Sequence, residues 1–426
     1  MYRPNHSERM CLSARCRKLF DVIGAHSLII LEAAPELIRN GDVHYPYRQY
    51  SNMLYLTDCP EPHTRYLIYL EQGRLHRVMA CRTADPSMAQ WTGEWTTPTS
   101  ACEQYGVEES IALDDWPARL HQQLQHTTDV FLINTSAVDA FKKIYPTFQG
   151  NHHTLDTLLA PFRMLKDELA YNRMKQAASL SAQAHQQVMQ HCQSNWTEAQ
   201  IEGTFFATGR TQGGTALAYP TIAAGGAHAC VLHYTDNQAF IEEGALVLLD
   251  AGMEYQGYAA DITRTFPING TFSTEQRQIY SLVLSAQTAA IDAIRPGVTW
   301  DELESLTQQI LIEGLLDLGI LKGSIDTLRE HQSLRRFYPH RLGHHLGLDV
   351  HDVTSKNANT QPFQAGYMVT IEPGLYFKAD DDLIAQQWRG IGVRIEDDVY
   401  VTPSGCEVLS HTAPKTIEAI EAMMQS

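Results

Sequence analysis

The sequence predicts a protein of mixed α/β class with two domains, and three observations support this prediction. The chain has 426 residues, which is enough for two or three domains. Hydrophobic residues make up 44% of it and charged residues 19%, as in globular rather than disordered proteins. Short apolar strands alternate with helical patterns along the chain. We therefore expect a smaller mixed α/β domain over residues 1–160 and a larger domain over residues 161–426.

The charge and the cysteines exclude several classes of function. A formal net charge of −17 disfavours binding to nucleic acid or to an anionic membrane surface. No apolar run approaches the ~20 residues that a membrane-spanning helix needs. The eight cysteines are scattered without C-x-x-C spacing, so we expect reduced thiols and a cytoplasmic location. Neither a nucleic acid nor a membrane is expected as a partner.

The first domain is predicted from a helix and several short strands. Four arginines in residues 1–20 would suit an organelle transit peptide, but Leu12, Cys16 and Leu19 fit one face of a first helix, which we favour. Trp91 lies in a polar stretch, Gln90–Thr97, that predicts a loop. Apolar runs bounded by turn residues predict strands at Ser27–Leu31, Tyr66–Leu70, Arg77–Ala80 and Val130–Ile133.

The second domain shows signs of an internal duplication. After a junction at Asn151–Pro161, a long helix is predicted from Leu165 to Cys192. Thr197 and Thr299, about 102 residues apart, each begin a capping box and each follow one long helix and precede another. Between and after these helices, strands are predicted at Ala245–Ala251, Tyr258–Phe266, Met368–Ile371 and Val393–Tyr400.

Four acidic residues end or interrupt these strands and are candidate metal ligands. Asp250 closes a buried apolar run, where a carboxylate is costly without a partner. Asp261 follows 11 residues later, and we expect the two strands to present both carboxylates to one point. Glu372 and Glu396 occupy similar positions in the last two strands. A single buried carboxylate is more often a structural residue, but this number at strand ends favours a metal site.

A histidine completes the candidate set. His340, His344 and His351 occur in one glycine-containing segment, whereas His228 and His345 are interpreted as structural. Carboxylates with one imidazole suit several divalent metals and favour Mn²⁺. One divalent ion cannot neutralise four carboxylates, so we expect two ions with bridging carboxylates and a shared hydroxide as the nucleophile.

These residues, in this order and context, resemble the metallopeptidases with the pita-bread fold, and the likeness is greatest to the bacterial aminopeptidase P (Xaa-Pro aminopeptidase) family. The resemblance covers nearly the whole chain and implies a pseudo-symmetric pita-bread catalytic domain after the first domain. The segments that carry it are YPYRQ (45–49), LHYTDN (232–237), LDAG (249–252), GYAADITRTFPING (257–270), LGLDVHDV (346–353), EPGLY (372–376) and RGIGVRIEDD (389–398).

The resemblance implies a role for each matching residue. Asp261 and Glu396 would bridge two metal ions, Asp250 would complete one site, and His344 with Glu372 the other. Glu372 would also be the general base.

The remaining matches concern the substrate. His233 and His351 resemble histidines that contact the scissile carbonyl and the tetrahedral intermediate. Arg394 is expected on the same strand face as Glu396, where it would orient Asp250. The pocket residues implied are His340, Tyr219, Tyr376 and, from a neighbouring subunit, Trp91.

The implied function is hydrolysis of the bond between an N-terminal residue and a penultimate proline by a homo-oligomer, a dimer or tetramer, that holds two divalent metal ions. Two alternatives stay open: a prolidase restricted to Xaa-Pro dipeptides, and a pita-bread protein that binds peptides without catalysis. Arg341, His345 and Pro220 depart from the family pattern and leave the substrate preference open.

Overall fold

The computed structural model describes residues 2–358 and 360–425. The chain divides into two compact units, Met1–Phe162 and Arg163–Ser426. Both units contain helices and strands, which confirms the predicted mixed α/β class. Within the described residues, every helix is too short or too polar to cross a lipid bilayer. All eight cysteines are free thiols.

The first unit contains a sheet and several helices of moderate length. The helices that begin in it are α1 (His6–Ile23), α2 (Ser51–Thr57), α3 (Pro86–Thr92), α4 (Ala101–Tyr105), α5 (Trp116–Leu124), α6 (Thr135–Ile144) and α7 (Leu155–Met164). The strands are β1 (Ser27–Glu32), β2 (Ile38–Asn40), β3 (Val43–His44), β4 (Arg65–Glu71), β5 (Arg74–Cys81), β6 (Glu109–Ala112), β7 (Asp129–Leu132) and β8 (Asn151–Thr154).

One six-stranded sheet organises this unit, with strand order β6-β5-β4-β1-β7-β8. Strand β1 lies inside the sheet, because it pairs antiparallel with β4 and parallel with β7. Its apolar side chains are buried. The strands predicted in this region are present as β1, β4, β5 and β7, and the predicted first helix is α1, whose N-terminus is capped by Asn5.

The loop predicted around Trp91 is wrong in its first part. Trp91 lies on helix α3, where its side chain is 84% exposed. Asp85 caps this helix by accepting hydrogen bonds from the backbone of Ser87 and Met88, and Pro86 occupies its first turn. A loop was predicted because the segment is polar, and the Asp85-Pro86 signal for a helix start was not recognised. The later part of the predicted loop, which includes Trp95, does lie outside the helix.

The second unit contains the longest helices. They are α8 (Glu168–His191), α9 (Glu198–Thr211), α10 (Thr274–Ala293), α11 (Trp300–Asp317), α12 (Ile325–Glu330) and α13 (Ile417–Met424). Its strands are β9 (Ala216–Leu217), β10 (Ile222–Gly225), β11 (Leu246–Asp250), β12 (Met253–Tyr255), β13 (Tyr258–Ala259), β14 (Thr263–Pro267), β15 (Met368–Ile371), β16 (Gly374–Tyr376), β17 (Gly392–Arg394), β18 (Asp397–Val401) and β19 (Cys406–Val408).

The helices of this unit form two similar pairs, α8 with α9 and α10 with α11. Both predicted capping boxes are confirmed, because Thr197 caps α9 with Gln200 and Thr299 caps α11 with Glu302. Helix α8 begins later than predicted because Asp167 caps it. The helices pack over antiparallel strands in the orders β10-β11-β14, β13-β12-β9 and β15-β18-β19.

Two strands predicted as continuous are interrupted. The predicted strand Tyr258–Phe266 is divided into β13 and β14, and the gap contains Asp261. The predicted strand Val393–Tyr400 is divided into β17 and β18, and this gap contains Glu396. Each half pairs with a different neighbouring strand, which an apolar alternation cannot reveal. The expectation that Arg394 and Glu396 lie on one face of the same strand is therefore wrong, because β17 ends at Arg394.

Candidate metal centre

A cavity of about 500 Å³ in the second unit collects most of the residues singled out by the sequence. Its volume is in the range of small-molecule and peptide sites. The predicted residues that line it are Tyr219, His233, Asp250, Asp261, His340, His344, His351, Glu372, Arg394 and Glu396.

The two aspartates come together through a close turn of the chain. Asp250 ends β11 and faces Thr263 of β14 in the antiparallel pair. A Cβ atom at Gly252 would lie 1.8 Å from the carbonyl oxygen of Ala260, so only glycine allows this approach. The Tyr219 hydroxyl lies 2.6 Å from Asp250 Oδ1 and 2.5 Å from Asp261 Oδ1, which shows that one oxygen atom reaches both carboxylates.

His344 approaches Asp261 from the irregular segment that precedes β15. Its Nε2 atom lies 3.3 Å from Asp261 Oδ2 and 3.5 Å from Glu372 Oε1. Ligand atoms of Asp261, His344 and Glu396 all lie within 4.8 Å of one another. Glu396 is held in place by the Thr263 hydroxyl, which donates to its Oε2 at 2.6 Å. Three of the five predicted ligands, Asp261, His344 and Glu396, therefore lie close together, and Glu372 lies beside His344.

The orientation of His344 leaves the correct nitrogen available. Its Nδ1 lies 3.0 Å from the backbone carbonyl oxygen of His345. A carbonyl only accepts, so Nδ1 carries a proton, and Nε2 is the nitrogen that faces the acidic cluster. Hydrogen bonding of one ring nitrogen in this way is the usual support of a metal-binding histidine.

The pKa values of three carboxyl groups in the cavity, those of Glu372, Glu396 and Asp250, are raised in the absence of a cation. Burial and nearby acidic groups raise the pKa of Glu372 to about 7. Burial, Asp261 and Glu372 raise the pKa of Glu396 well above its usual value. Burial also raises the pKa of Asp250, although Arg394 opposes this change. Such crowding of acidic oxygens with one imidazole fits divalent metal ions, whose charge removes the repulsion.

A chain of hydrogen bonds runs from Asp250 to the cavity wall. Arg394 donates from Nη2 to Asp250 Oδ2 at 2.6 Å and from Nη1 to the Tyr376 hydroxyl at 3.0 Å. That hydroxyl lies 2.8 Å from His340 Nε2, and His340 Nδ1 lies 2.8 Å from the carbonyl oxygen of Arg341. Burial and Arg394 lower the pKa of His340 to about 4, so the imidazole is neutral and accepts from Tyr376.

The two remaining histidines face the same cavity from different segments. The ring of His351 lies 4.4 Å from the ring of His344, centroid to centroid. His233 follows the short 3₁₀ turn Gly226–Cys230, and its side chain lines the opening of the cavity. Tyr376 is buried behind His340 and does not itself line the cavity. Trp91 belongs to the other compact unit, and its role stays a prediction.

Several supporting residues were missed in the sequence. Thr263 accepts from Arg394 Nε at 3.1 Å as well as donating to Glu396. Thr370 accepts from the backbone N–H of His344 at 3.0 Å. The carboxylate of Asp398 accepts from the backbone N–H of Asp261. Thr263 follows Asp261 by two residues, and alternation along the strand was the signal that could have found it.

Comparison with known proteins shows the family to which the chain belongs. Residues 172–403 match Metallopeptidase family M24, and residues 12–131 match the N-terminal domain of aminopeptidase P. The chain is 37% identical over 424 residues to the Xaa-Pro aminopeptidase of Haemophilus influenzae, which covers 96% of each protein.

Two solved structures are similar over the whole chain. Pseudomonas aeruginosa aminopeptidase PepP has a TM-score of 0.93 and 38% identity, covering 100% of this chain and 99% of that one. Zinc-substituted Escherichia coli aminopeptidase P in complex with product has a TM-score of 0.93 and 34% identity, covering 98% of each chain. These matches confirm the predicted fold class, a smaller mixed α/β domain followed by a pita-bread domain.

Proposed function

The chain belongs to metallopeptidase family M24, and from that membership we propose that it is a metal-dependent aminopeptidase that hydrolyses the bond between an N-terminal residue and a penultimate proline. The observation that carries the proposal is the convergence of His344 Nε2 with the carboxylates of Asp261 and Glu372 in one cavity. A carboxylate cluster of this kind serves to hold divalent metal ions rather than to stabilise the fold.

We assign the ligands as the resemblance implies. Asp261 and Glu396 would hold both of two divalent ions, Asp250 would complete one site, and His344 with Glu372 would complete the other. Mn²⁺ is the proposed metal because carboxylate oxygens predominate over nitrogen. When bound, the ions activate water as a nucleophile at neutral pH and polarise the scissile carbonyl.

The other side chains act on protons, charge and orientation. Glu372 takes the proton of the attacking water, since it lies beside His344 in the cavity. His233 and His351 donate hydrogen bonds to the carbonyl oxygen as negative charge develops on it. Tyr219 contacts both aspartates, and His340, backed by Tyr376, forms the wall against which the proline ring packs.

Four further assignments belong to the same proposal. Residues 1–160 form the N-terminal domain and residues 161–426 the catalytic domain. The enzyme is a homo-oligomer, a dimer or tetramer, in which Trp91 of a neighbouring subunit contributes to the substrate pocket. Its location is cytoplasmic, in keeping with the eight free cysteines. Its substrates are peptides with proline at position two.

A peptide-length series tests the function. The protein is loaded with Mn²⁺, its metal content is measured, and the same preparation is assayed on Xaa-Pro, Xaa-Pro-Xaa and a matched Xaa-Ala-Xaa control. We expect cleavage of the proline tripeptide and little or none of the alanine control. Turnover of Xaa-Pro without the tripeptide would instead show a prolidase. Metal binding without hydrolysis of any proline peptide would favour the alternative of a protein that binds peptides without catalysis.

Substitution of a bridging residue tests the ligand assignment. Asp261→Ala and Glu396→Ala should each lose bound metal as well as activity, because both ions depend on a shared carboxylate. Asp292→Ala removes an exposed aspartate of α10 and serves as the control. Full metal occupancy and full activity in either bridging variant would refute the assignment.

A further inference from the structure

We propose that Glu198, a buried carboxylate outside the metal centre, is a positioning residue that holds His233 in its catalytic orientation through the segment that carries it. This inference rests on the proposed function, because the role of His233 belongs to that proposal. We call residues 225–240 the His233 loop. Glu198 lies in the first turn of helix α9, and its side chain has no exposed surface.

The carboxylate of Glu198 accepts four hydrogen bonds from the His233 loop. Its Oε1 accepts from the backbone N–H of Gly225 at 2.9 Å and from His228 Nδ1 at 2.8 Å. Its Oε2 accepts from the Tyr234 hydroxyl at 2.8 Å and from the backbone N–H of Ala239 at 2.9 Å. The donors come from both ends and the middle of the loop, so one side chain ties the whole segment to α9.

This arrangement suits an ionised carboxylate. Burial alone would raise the pKa of Glu198, but the hydrogen bonds from His228, the two backbone groups and Tyr234 lower it. An apolar side chain could fill the same space, but it would leave the half-buried N–H donors of Gly225 and Ala239 without these acceptors. The carboxylate therefore determines the conformation of the loop as well as filling space.

The loop transmits this anchoring directly to His233. Its sequence neighbour Tyr234 reaches the carboxylate, whereas His233 itself lines the metal-centre cavity with Leu232 and Thr235. The Tyr234 ring also stacks on His228 with centroids 4.4 Å apart. Both contacts of Tyr234 therefore restrain the residue that directly follows His233 in the chain.

The end of the loop is attached to the same point. The backbone N–H of Glu198 donates to the carbonyl oxygen of Ala239 at 2.9 Å, and Ile241 N–H donates to the carbonyl oxygen of Trp196 at 2.9 Å. His233 is an exposed side chain on an irregular segment, so its position depends on such anchors. A displacement of about 1 Å at a catalytic group can cost on the order of 100-fold in rate.

A double-mutant cycle between Glu198 and His233 tests the proposal in the metal-loaded, full-length protein. Glu198→Gln keeps the shape of the side chain but replaces one accepting oxygen by an NH₂ group, which then faces hydrogen-bond donors of the His233 loop. We expect it to lower kcat by about 10- to 100-fold with unchanged metal content. In the His233→Ala background the same change should have little further effect, because the group that it positions is gone. Glu202→Gln makes the same chemical change four residues further along α9 and should leave kcat within about twofold.

Two results would overturn the positioning role. One is an unchanged kcat in Glu198→Gln, and the other is an equal loss of kcat with and without His233, as expected of a general folding defect. If Glu198→Gln does not fold, Tyr234→Phe replaces it in the cycle, since it removes one hydrogen bond and keeps the ring. We expect Tyr234→Phe to lower kcat by about tenfold, again only when His233 is present.

Hydrogen exchange separates this inference from the proposed function, because it needs no substrate. The backbone amides of Gly225 and Ala239 should exchange faster in Glu198→Gln, or in Tyr234→Phe if that variant is used, than in the wild type or Glu202→Gln. Unchanged exchange would overturn the anchoring even in an active enzyme. Faster exchange in a protein that cleaves no proline peptide would support the anchoring and refute the proposed function.

Discussion

Arg394 shows how a single residue can organise the metal centre without being a metal ligand. Its planar guanidinium donates to Asp250, to the Tyr376 hydroxyl and to Thr263 Oγ1 at once. Through Tyr376 it also sets the proton donor that faces His340. A flexible ammonium group has no fixed fork of donors and cannot hold three partners in this geometry.

We predict that Arg394→Lys lowers kcat or metal affinity by about 10- to 100-fold while the protein stays folded. This is the usual cost of removing a residue that supports metal ligands. The measurements are metal titration, steady-state kinetics on a proline tripeptide and circular dichroism. Arg335→Lys, at an exposed position, is the matched control. Wild-type kinetics and metal affinity in Arg394→Lys would show that charge alone suffices at this position.

Interrupted strands are the elements that place the ligands. The gap between β13 and β14 contains Asp261, and the gap between β17 and β18 contains Glu396. Backbone in a gap is released from the regular alternation of a strand, so these carboxylates reach the cluster from directions that a continuous strand would not allow. Close approach of Gly252 to Ala260 is part of the same turn.

We predict that Gly252→Ala destabilises the second unit and abolishes metal binding. The added Cβ would lie 1.8 Å from a backbone oxygen, so the turn between Asp250 and Asp261 must move. Gly405→Ala is the control, since nothing lies within 4 Å of its added Cβ atom. Thermal unfolding and metal analysis check the result. Normal metal occupancy in Gly252→Ala would show that the turn can adjust without moving the ligands.

A buried ion-pair network holds the segment that carries His351. Asp352 contacts the guanidinium of Arg163 and lies 2.8 Å from Lys166 Nζ, and the interacting side chains are almost completely buried. Arg163 also pairs with Asp349 at 2.7 Å. The network therefore ties residues 349–352 to the residues just before α8.

We predict that Asp352→Asn costs about 3–5 kcal/mol of unfolding free energy at pH 7, because two buried cations lose their partner. Burial would raise the pKa of Asp352, but Lys166 and Arg163 hold it below its ordinary value. The stabilisation is therefore complete above the ordinary aspartate pKa of about 4 and is lost as the pH falls through the lower folded-state value.

Urea unfolding of the wild type and Asp352→Asn at a series of pH values checks the direction of this pH dependence. The difference between them should be constant from pH 7 down to about pH 5 and shrink at lower pH. Asp292→Asn, an exposed aspartate, should show little difference at any pH. A difference that grows on acidification would contradict the prediction.

For the molecule as a whole, we expect bound metal ions to contribute to stability as well as to catalysis. The formal net charge of −17 includes four carboxylates crowded into one cavity. Two divalent ions would cancel the charge of these four groups, so the holo protein carries about −13 before any bound hydroxide is counted. Ions that bind the folded state alone stabilise it by mass action.

We predict that a chelator lowers the unfolding temperature and that added Mn²⁺ restores it. At a free metal concentration 100 times the dissociation constant, each site adds about 2.7 kcal/mol. Calorimetry with and without EDTA measures the shift, and Asp261→Ala should show almost none. An unchanged unfolding temperature after metal removal would show that the folded state does not bind the ions more tightly than the unfolded state does.

Features that depend on nearby residues could be predicted from the sequence alone. The capping boxes of Thr197 and Thr299 are four-residue patterns, and both are present. The candidate ligands could be chosen because an acidic residue at the end of an apolar run is unusual. The resemblance to metallopeptidases extended this set to His233 and Tyr219, which line the same cavity.

The positions of the strand breaks, and the contacts between groups far apart in the sequence, could be read only from the folded structure. Strand gaps at Asp261 and Glu396 depend on which partner strands compete for each half, and this involves residues far apart in the chain. Nothing in the sequence indicated a partner for His228, yet its Nδ1 lies 2.8 Å from Oε1 of Glu198. The physical reason is that a helix cap forms within one turn, whereas a metal cluster or a buried carboxylate draws its partners from segments that only the folded core brings together.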